Sequence, residues 1–445
     1  MRVLVFHGYM LRGTGSNIYN VNLAQALAGL GHEVHLLCQD RETKLDGVQI
    51  HNPDIGGLLP VYVKDPYEGF EVKAFPELTE PELQRYIDAN VAAIREVAEQ
   101  AGGVDIALAN HLVMGPAIMA RADVAPYAAK IHGSALEYTV KPHPRFLPYA
   151  EEGMQAANGV LVGSRHTAES LWAALPSVRG LEAKTRLGPP GVDTQAFRPA
   201  SRRDALVVFV GKMIVSKGLD LLLAAWPLVR ARHPEARLQV VGYGEYEGGV
   251  RRLLSALGRG DLGEALEVAR LGRGLEGGEE KPLPILTAFL EDPPAGYAQA
   301  AKGIAGSIEL VGRLEHDEVA ALLPTAEALV MPSTFPEAFG MVAAEAAACG
   351  ALPVSAGHSG MREVSRQLAA ALPPEIGELT SFPVEPGAVE AIAQRLTAWL
   401  DLPEEAREAA RGALVDTAHR LWSWEGVARG VAAAARGELD RLPLA

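Results

Sequence analysis

Glu337 and Glu345 stand with seven residues between them in the run Pro332-Ser333-Thr334-Phe335-Pro336-Glu337-Ala338-Phe339-Gly340-Met341-Val342-Ala343-Ala344-Glu345-Ala346. Gly340, between the two acids, lets the backbone come close to a ligand. Residues 341–349 read as a helix, so its open N–H groups and positive dipole end face the Phe339-Gly340 turn, where anions bind. With the stretch mostly helical, the two carboxylates stand about 12 Å apart along the axis. That span suits two sets of hydroxyls on either side of a diphosphate, which is the layout of a nucleotide-sugar.

The segment resembles the signature of retaining GT-B glycosyltransferases, the family 4 (glycosyl transferases group 1) type. Other segments match the family in order, most densely over 189–220 and 307–363. In the run Val210-Gly211-Lys212-Met213-Ile214-Val215-Ser216-Lys217-Gly218, the resemblance makes Lys212 and Lys217 the two cations that neutralise a leaving diphosphate. The family more often has arginine at the first position, and a lysine there gives up bidentate binding. Gly312-Arg313-Leu314 matches the backbone that meets the nucleobase, with Arg313 at its centre. Gly13-Thr14-Gly15-Ser16 opens a helix where the family has two adjacent glycines. Gly15 takes the matching position, and Thr14 is a departure. A dinucleotide fingerprint is the rival reading of this loop, but Ile18 occupies its third glycine position. His132 follows a strand at the place where the family carries a histidine beside the transferred sugar.

The resemblance implies a hexosyltransferase that retains configuration through same-face attack, with the departing phosphate taking the acceptor proton. His132 and Glu337 are the expected catalytic residues. The expected donor site is Gly15, Lys212, Lys217, Arg313, Glu337, Phe339, Gly340, Met341, Val342 and Glu345. Glu337 faces the sugar hydroxyls, Glu345 the ribose, and the N–H groups of 339–342 the sugar and phosphate. His111 and His166 match nothing in the family and are read as ordinary loop histidines. Tyr9, Tyr67, Tyr138, Lys141 and Arg145 remain candidates for the acceptor side. A nucleotide-sugar isomerase or epimerase on the same fold and a non-catalytic nucleotide-sugar binder are the alternatives. The seven-residue spacing of the glutamates speaks against the first, and the presence of both His132 and Glu337 against the second.

Composition narrows the partners. The chain has 445 residues, 48% hydrophobic and 22% charged, with a net charge of −14. That length fits two domains and that balance a soluble globular protein. The negative charge does not invite nucleic acid. It also repels an anionic donor at long range, so a diphosphate must be held by local cations and helix ends. Residues 1–198 carry 17 Lys+Arg against 22 Asp+Glu, and the remainder is more acidic still. Neither half offers the basic surface of an enzyme docked on anionic lipid. A small soluble hydroxyl acceptor is therefore expected, without stable membrane binding. Cys38 and Cys349 lack metal spacing and lie in apolar runs, as buried thiols in a reducing cytoplasm do. No cofactor or metal is expected.

The elements that must position these residues alternate between strand and helix. Strands are expected at 2–6, 33–38, 104–109, 128–131 and 159–162, with a helix at 17–30. The apolar, β-branched runs are those of buried parallel strands. Residues 40–90 read as less regular. A second start at 205–211 repeats the pattern, with a helix at 218–232 and strands at 237–241, 307–311 and 328–331. These are two α/β domains, 1–198 (completed by 420–445) and 199–419, joined near the proline-containing link at 198–201. The resemblance makes them the facing Rossmann-like domains of a GT-B fold, with a deep interdomain cleft and a C-terminal helix crossing back to the first domain. Residues 258–306 match nothing and read as a surface excursion, with a lid or a homodimer contact as the alternatives.

Overall fold

A computed structural model describes residues 1–62, 67–199 and 205–445. Part of the link at 198–201 thus lies outside the described residues. The chain divides into two compact units, Met1–Gly191 with Trp422–Ala445, and Val192–Leu421.

In the first unit, β1 (Arg2–Phe6), β2 (Glu33–Leu37), β3 (Val48–His51), β6 (Ile106–Asn110), β7 (Tyr127–Ile131), β8 (Gly159–Val162) and β9 (Thr185–Leu187) form one sheet in the order β3-β2-β1-β6-β7-β8-β9. Every pairing is parallel. A separate parallel pair consists of β4 (Leu58–Val61) and β5 (Glu71–Ala74). The pleat sends alternate residues of β1 to opposite faces. Leu4 and Phe6 enter a core built with Leu83, Ile87 and Ile94. Val3 and Val5 enter the other, built with Leu23, Leu27, Val431 and Ala434. Burial on both faces explains why these strands read as continuous apolar runs.

The closing helix Trp424–Arg436 belongs to this unit. A Cβ at Gly159 would stand 2.7 Å from the carbonyl oxygen of Ala434, so glycine allows the helix to lie close on β8. The side chain of Asn158 donates to the Ala435 carbonyl at 2.9 Å.

The irregular stretch expected at 40–90 holds more order than its sequence suggests. It ends in the helix Glu80–Gln100, opened by Thr79 and Glu82 as a reciprocal cap with Pro81 in the first turn. The Thr-x-x-Glu signature was present in the sequence.

In the second unit, β10 (Leu206–Val210), β11 (Arg237–Val241), β12 (Ile308–Gly312), β13 (Ala328–Met331), β14 (Leu352–Ala356) and β15 (Ser381–Phe382) run parallel in the order β12-β11-β10-β13-β14-β15. Trp226 and Trp399, fully buried, come from the helices Leu219–Arg232 and Ala388–Leu400, which pack on each other. Each sheet therefore follows the doubly wound order and reverses direction once, between β1 and β6 and between β10 and β13. Open α/β sheets bind ligands outside the carboxyl ends of strands at such a reversal.

Candidate active site

At the reversal of the second sheet, β10 runs into Gly211 and Lys212, and β13 into the loop 332–340. The two loops are tied together. Thr334 N–H donates to the Ser216 carbonyl at 2.9 Å. A Cβ on Gly218, at φ 66°, would stand 2.0 Å from the Pro332 oxygen, so the loops meet only because residue 218 is glycine. This contact carries Lys217 to Glu337, and their ammonium and carboxylate form a close ion pair. Both side chains are about one-quarter exposed, at 28% and 26%. Ser333 donates its hydroxyl to the same Glu337 oxygen at 3.0 Å.

A polar chain fixes the backbone of Glu337. Its N–H donates to Ser359 Oγ at 2.9 Å. Ser359 Oγ lies 3.2 Å from His358 Nδ1, and His358 Nε2 lies 2.9 Å from the Ser333 carbonyl. A carbonyl only accepts, so Nε2 carries the proton and Nδ1 receives the Ser359 hydroxyl.

The helix begins at Met341 and runs to Ala348, after Gly340 at φ 124°. Glu337 thus lies in the loop, and the stretch between the two acids is not mostly helical. The axial span of about 12 Å expected for an unbroken helix does not apply. Pro336 removes a donor and positive-φ Gly340 interrupts the helical path before it starts. Among the described residues no acceptor takes the N–H of Met341 or Val342, as at any helix start. Glu345 is 5% exposed, and burial pushes its carboxyl up to about 7. Its nearest basic group is His316 Nε2 at 3.8 Å, an imidazole whose own pKa burial lowers. Lys212 is exposed. Arg313 is exposed, pairs with Glu315 at 2.9 Å and lies over the Tyr243 ring.

The first unit builds a second polar centre at its own reversal. His7 follows β1, His111 follows β6 and His132 follows β7. The rings of His7 and His111 are 5.7 Å apart, and those of His111 and His132 4.8 Å. His111, read from sequence as an ordinary loop residue, therefore sits beside His132. The residue is 2% exposed, and among the described residues neither ring nitrogen has a hydrogen-bond partner. The spacing of three histidines at three strand ends was the available signal, but it required the strand order to be read.

Backbone carbonyls set the proton positions in this centre. Asn110 Nδ2 donates to the Phe6 carbonyl at 3.0 Å and to Asn20 Oδ1 at 2.8 Å. Asn110 Oδ1 must then accept from His132 Nε2, 2.8 Å away. His132 therefore carries its proton on Nε2 and presents Nδ1 as an acceptor. Asn20 Nδ2 donates to the Ser16 carbonyl and to His7 Nδ1, at 2.8 and 3.0 Å. Burial holds the His7 pKa at about 4 and that of His132 well below the usual imidazole range, with His111 and Lys130 adding repulsion to His132. All of this lies beside the helix Gly15–Gly29, which Gly15 opens.

Of the acceptor-side candidates, Tyr9 joins the cluster, 5.3 Å from the His111 ring. Arg145 instead caps the carbonyls of Phe75, Pro76 and Leu78. Lys141 pairs with Glu137 at 2.7 Å. Tyr138 is exposed. No three His, Cys, Asp or Glu side chains among the described residues are arranged to hold a metal ion. Cys38 and Cys349 are both fully buried. No helix of the described residues is long and apolar enough to cross a membrane.

Comparison with known proteins places the chain among sugar-transferring enzymes. A model described as Glycosyltransferase Family 4 matches residues 13–196, and two models described as Glycosyl transferases group 1 match 204–269 and 297–414. D-inositol 3-phosphate glycosyltransferase of Jonesia denitrificans is 26% identical over 384 residues, 78% of this chain and 76% of that protein. Glycogen synthase of Mycobacterium tuberculosis is 33% identical over 247 residues, 52% of this chain and 51% of that protein. The solved structure of sucrose-phosphate synthase from Thermosynechococcus elongatus superposes with a TM-score of 0.62 at 19% identity, covering 99% of both chains.

Proposed function

We propose, for a chain that belongs to the family 4 glycosyltransferases of the GT-B fold and moves a sugar from a nucleotide-diphosphate donor to an acceptor, that the transferred group is a hexose and that its anomeric configuration is retained. One observation carries the reading. The Lys217–Glu337 pair stands in the same loop assembly as the open N–H groups of Met341 and Val342. In the proposed complex the diphosphate takes Lys217, Lys212 and the helix start, and the sugar hydroxyls take the Glu337 carboxylate that Lys217 releases. Arg313 lies at the nucleobase end, and buried Glu345 takes the ribose. The main chain of Phe339 and Gly340 completes the sugar contact.

As the bond from the anomeric carbon to the diphosphate oxygen breaks, charge grows on the leaving group, and fixed cations and N–H dipoles stabilise it. The acceptor hydroxyl attacks from the same face and gives its proton to the departing phosphate oxygen. Glu337 already accepts from Lys217 and Ser333, which favours a hydrogen-bonding role over that of a covalent nucleophile. His132 Nδ1 offers an acceptor to a sugar hydroxyl, and the nitrogens of His111, without a partner among the described residues, favour a hydroxyl-bearing acceptor on the first unit. We take that acceptor to be a small soluble hydroxyl compound, with no nucleic acid and no stable membrane binding, and the setting to be cytoplasmic, consistent with two buried thiols and a net charge of −14.

The test is incubation with UDP-, GDP- and ADP-hexoses, with product NMR. Retained configuration in a new glycoside is expected. Inversion, a changed sugar without transfer, or binding without turnover would each overturn the reading. Glu337→Ala is expected to lower kcat at least about 100-fold with an unchanged melting temperature; near-normal turnover would remove its assigned role.

A further inference from the structure

The family models stop at residue 269 and resume at 297, and the unmatched stretch reaches the donor loop. The helix Leu262–Leu271 ends at Gly272, φ 48°, where the chain folds back on itself. Arg273 N–H donates to the Lys281 carbonyl at 3.1 Å, and Gly278 N–H closes on the Arg273 carbonyl at 3.1 Å. A Cβ at Gly272 would stand 2.0 Å from that Lys281 oxygen, so the fold-back requires glycine. The turn Arg273–Glu276 forms its tip. There Glu276 Oε2 accepts the N–H of Val215 at 2.8 Å.

Val215 opens the short turn Val215–Lys217, whose last residue is the lysine paired to Glu337. The other sides of this loop are already tied. Met213 N–H donates to the Tyr243 carbonyl at 2.8 Å, and the Ser216 carbonyl accepts from Thr334 at 2.9 Å. Within the turn, Gly218 N–H closes on the Val215 carbonyl at 3.0 Å. The leading N–H of the turn is left, and among the described residues it is bonded by a carboxylate brought by a segment outside the family models. A charge-assisted bond of this kind is about twice as strong as a neutral one.

We propose that Glu276 is a positioning residue for the donor diphosphate, and that the arm 270–296 serves to deliver it. By holding Val215 it fixes the turn from which Lys217 reaches the leaving group. The proposal rests on the reading of Lys217 as a diphosphate cation.

Three full-length proteins test it, the wild type, Glu276→Ala and Glu276→Gln, each titrated with whichever of UDP, GDP and ADP the wild type binds best. Glu276→Ala is expected to weaken binding about tenfold, the effect of losing one hydrogen bond to a charged group, and to raise the donor KM in step. Glu276→Gln keeps an oxygen for Val215 and is expected to recover most of the affinity. An alanine variant that binds like the wild type, or a glutamine variant as weak as alanine, overturns the proposal. Hydrogen exchange of the Val215 amide in the wild type gives a readout that does not depend on a variant folding. Slow exchange supports the contact, and exchange as fast as an open loop overturns it. Failure of the functional reading looks different, because then the wild type itself binds none of the three diphosphates.

Discussion

Glu345 and His132 show how a residue's surroundings decide its chemistry. Burial leaves the Glu345 carboxyl titrating at about 7, in the range where the enzyme would work. Ribose hydroxyls donate, so they favour the ionised form, which is populated above that pKa. Donor affinity is therefore expected to rise as the pH climbs from 6 to 8, with a proton released on binding. Glu345→Gln should raise donor KM roughly tenfold at pH 8 and flatten this dependence. A glutamine variant with the wild-type KM profile would remove Glu345 from the ribose. The sign for stability runs the other way. With its folded pKa raised above the unfolded value of 4.5, the contribution of Glu345 to folding is fully present below that value and is lost as the pH rises from there to about 7. For His132, 15N NMR of the imidazole should find the proton on Nε2 at pH 7, as the Asn110 relay requires. A proton on Nδ1 would break the relay. Asn110→Asp puts a carboxylate against that N–H and should move the His132 pKa upward, bringing an acid limb into the pH–rate profile near neutrality.

At the scale of elements, the loop bearing Glu337 is held from the far end of its strand. Glu327, immediately before β13, is buried and takes both oxygens to Arg411 Nη2, at 2.8 and 2.6 Å. Arg411 comes from the helix Glu404–Trp422 and is itself 4% exposed. Removing Arg411 takes away the bonded guanidinium and leaves the buried Glu327 carboxylate facing Arg407 at 3.9 Å. Arg411→Ala is expected to destabilise the second unit by about 3–5 kcal/mol, read as a shift in the denaturant midpoint; a change within error would mean that the charge finds solvent. Most of these elements were legible in sequence. The strands at 2–6, 159–162, 237–241 and 328–331 were expected where they lie, since a strand buried on both faces needs apolar residues throughout. The helix Glu80–Gln100 went unnamed, although Thr79, Pro81 and Glu82 mark its start. The helix start at Met341 lies where the sequence puts it, and only the axial span between Glu337 and Glu345 does not carry over, because Pro336 and the positive φ of Gly340 keep 332–340 out of the helix.

At the scale of the whole molecule, the first unit is assembled from both ends of the sequence. Val431, Ala432, Ala434 and Ala435 complete the core that Val3 and Val5 begin. The Pro443 carbonyl accepts from Leu187 N–H at 2.9 Å, and the Leu439 carbonyl from Arg186 Nε at 3.0 Å. A chain ending at Leu421 is expected to lose the melting transition and protease resistance of the first unit while the second keeps its own. An unchanged first transition would show that the core closes without the helix Trp424–Arg436. By itself the sequence determined the family, the repeated α/β pattern and the acids and lysines of the donor loop, because motif spacing and apolar periodicity are local properties of the chain. Only the tertiary structure decided that Lys217 meets Glu337, that His7, His111 and His132 gather at three strand ends, and that Glu276 reaches Val215. Those contacts join residues 21 to 125 positions apart, and their partners are fixed by strand order and by close approaches that a single glycine permits, neither of which is written in the spacing along the chain.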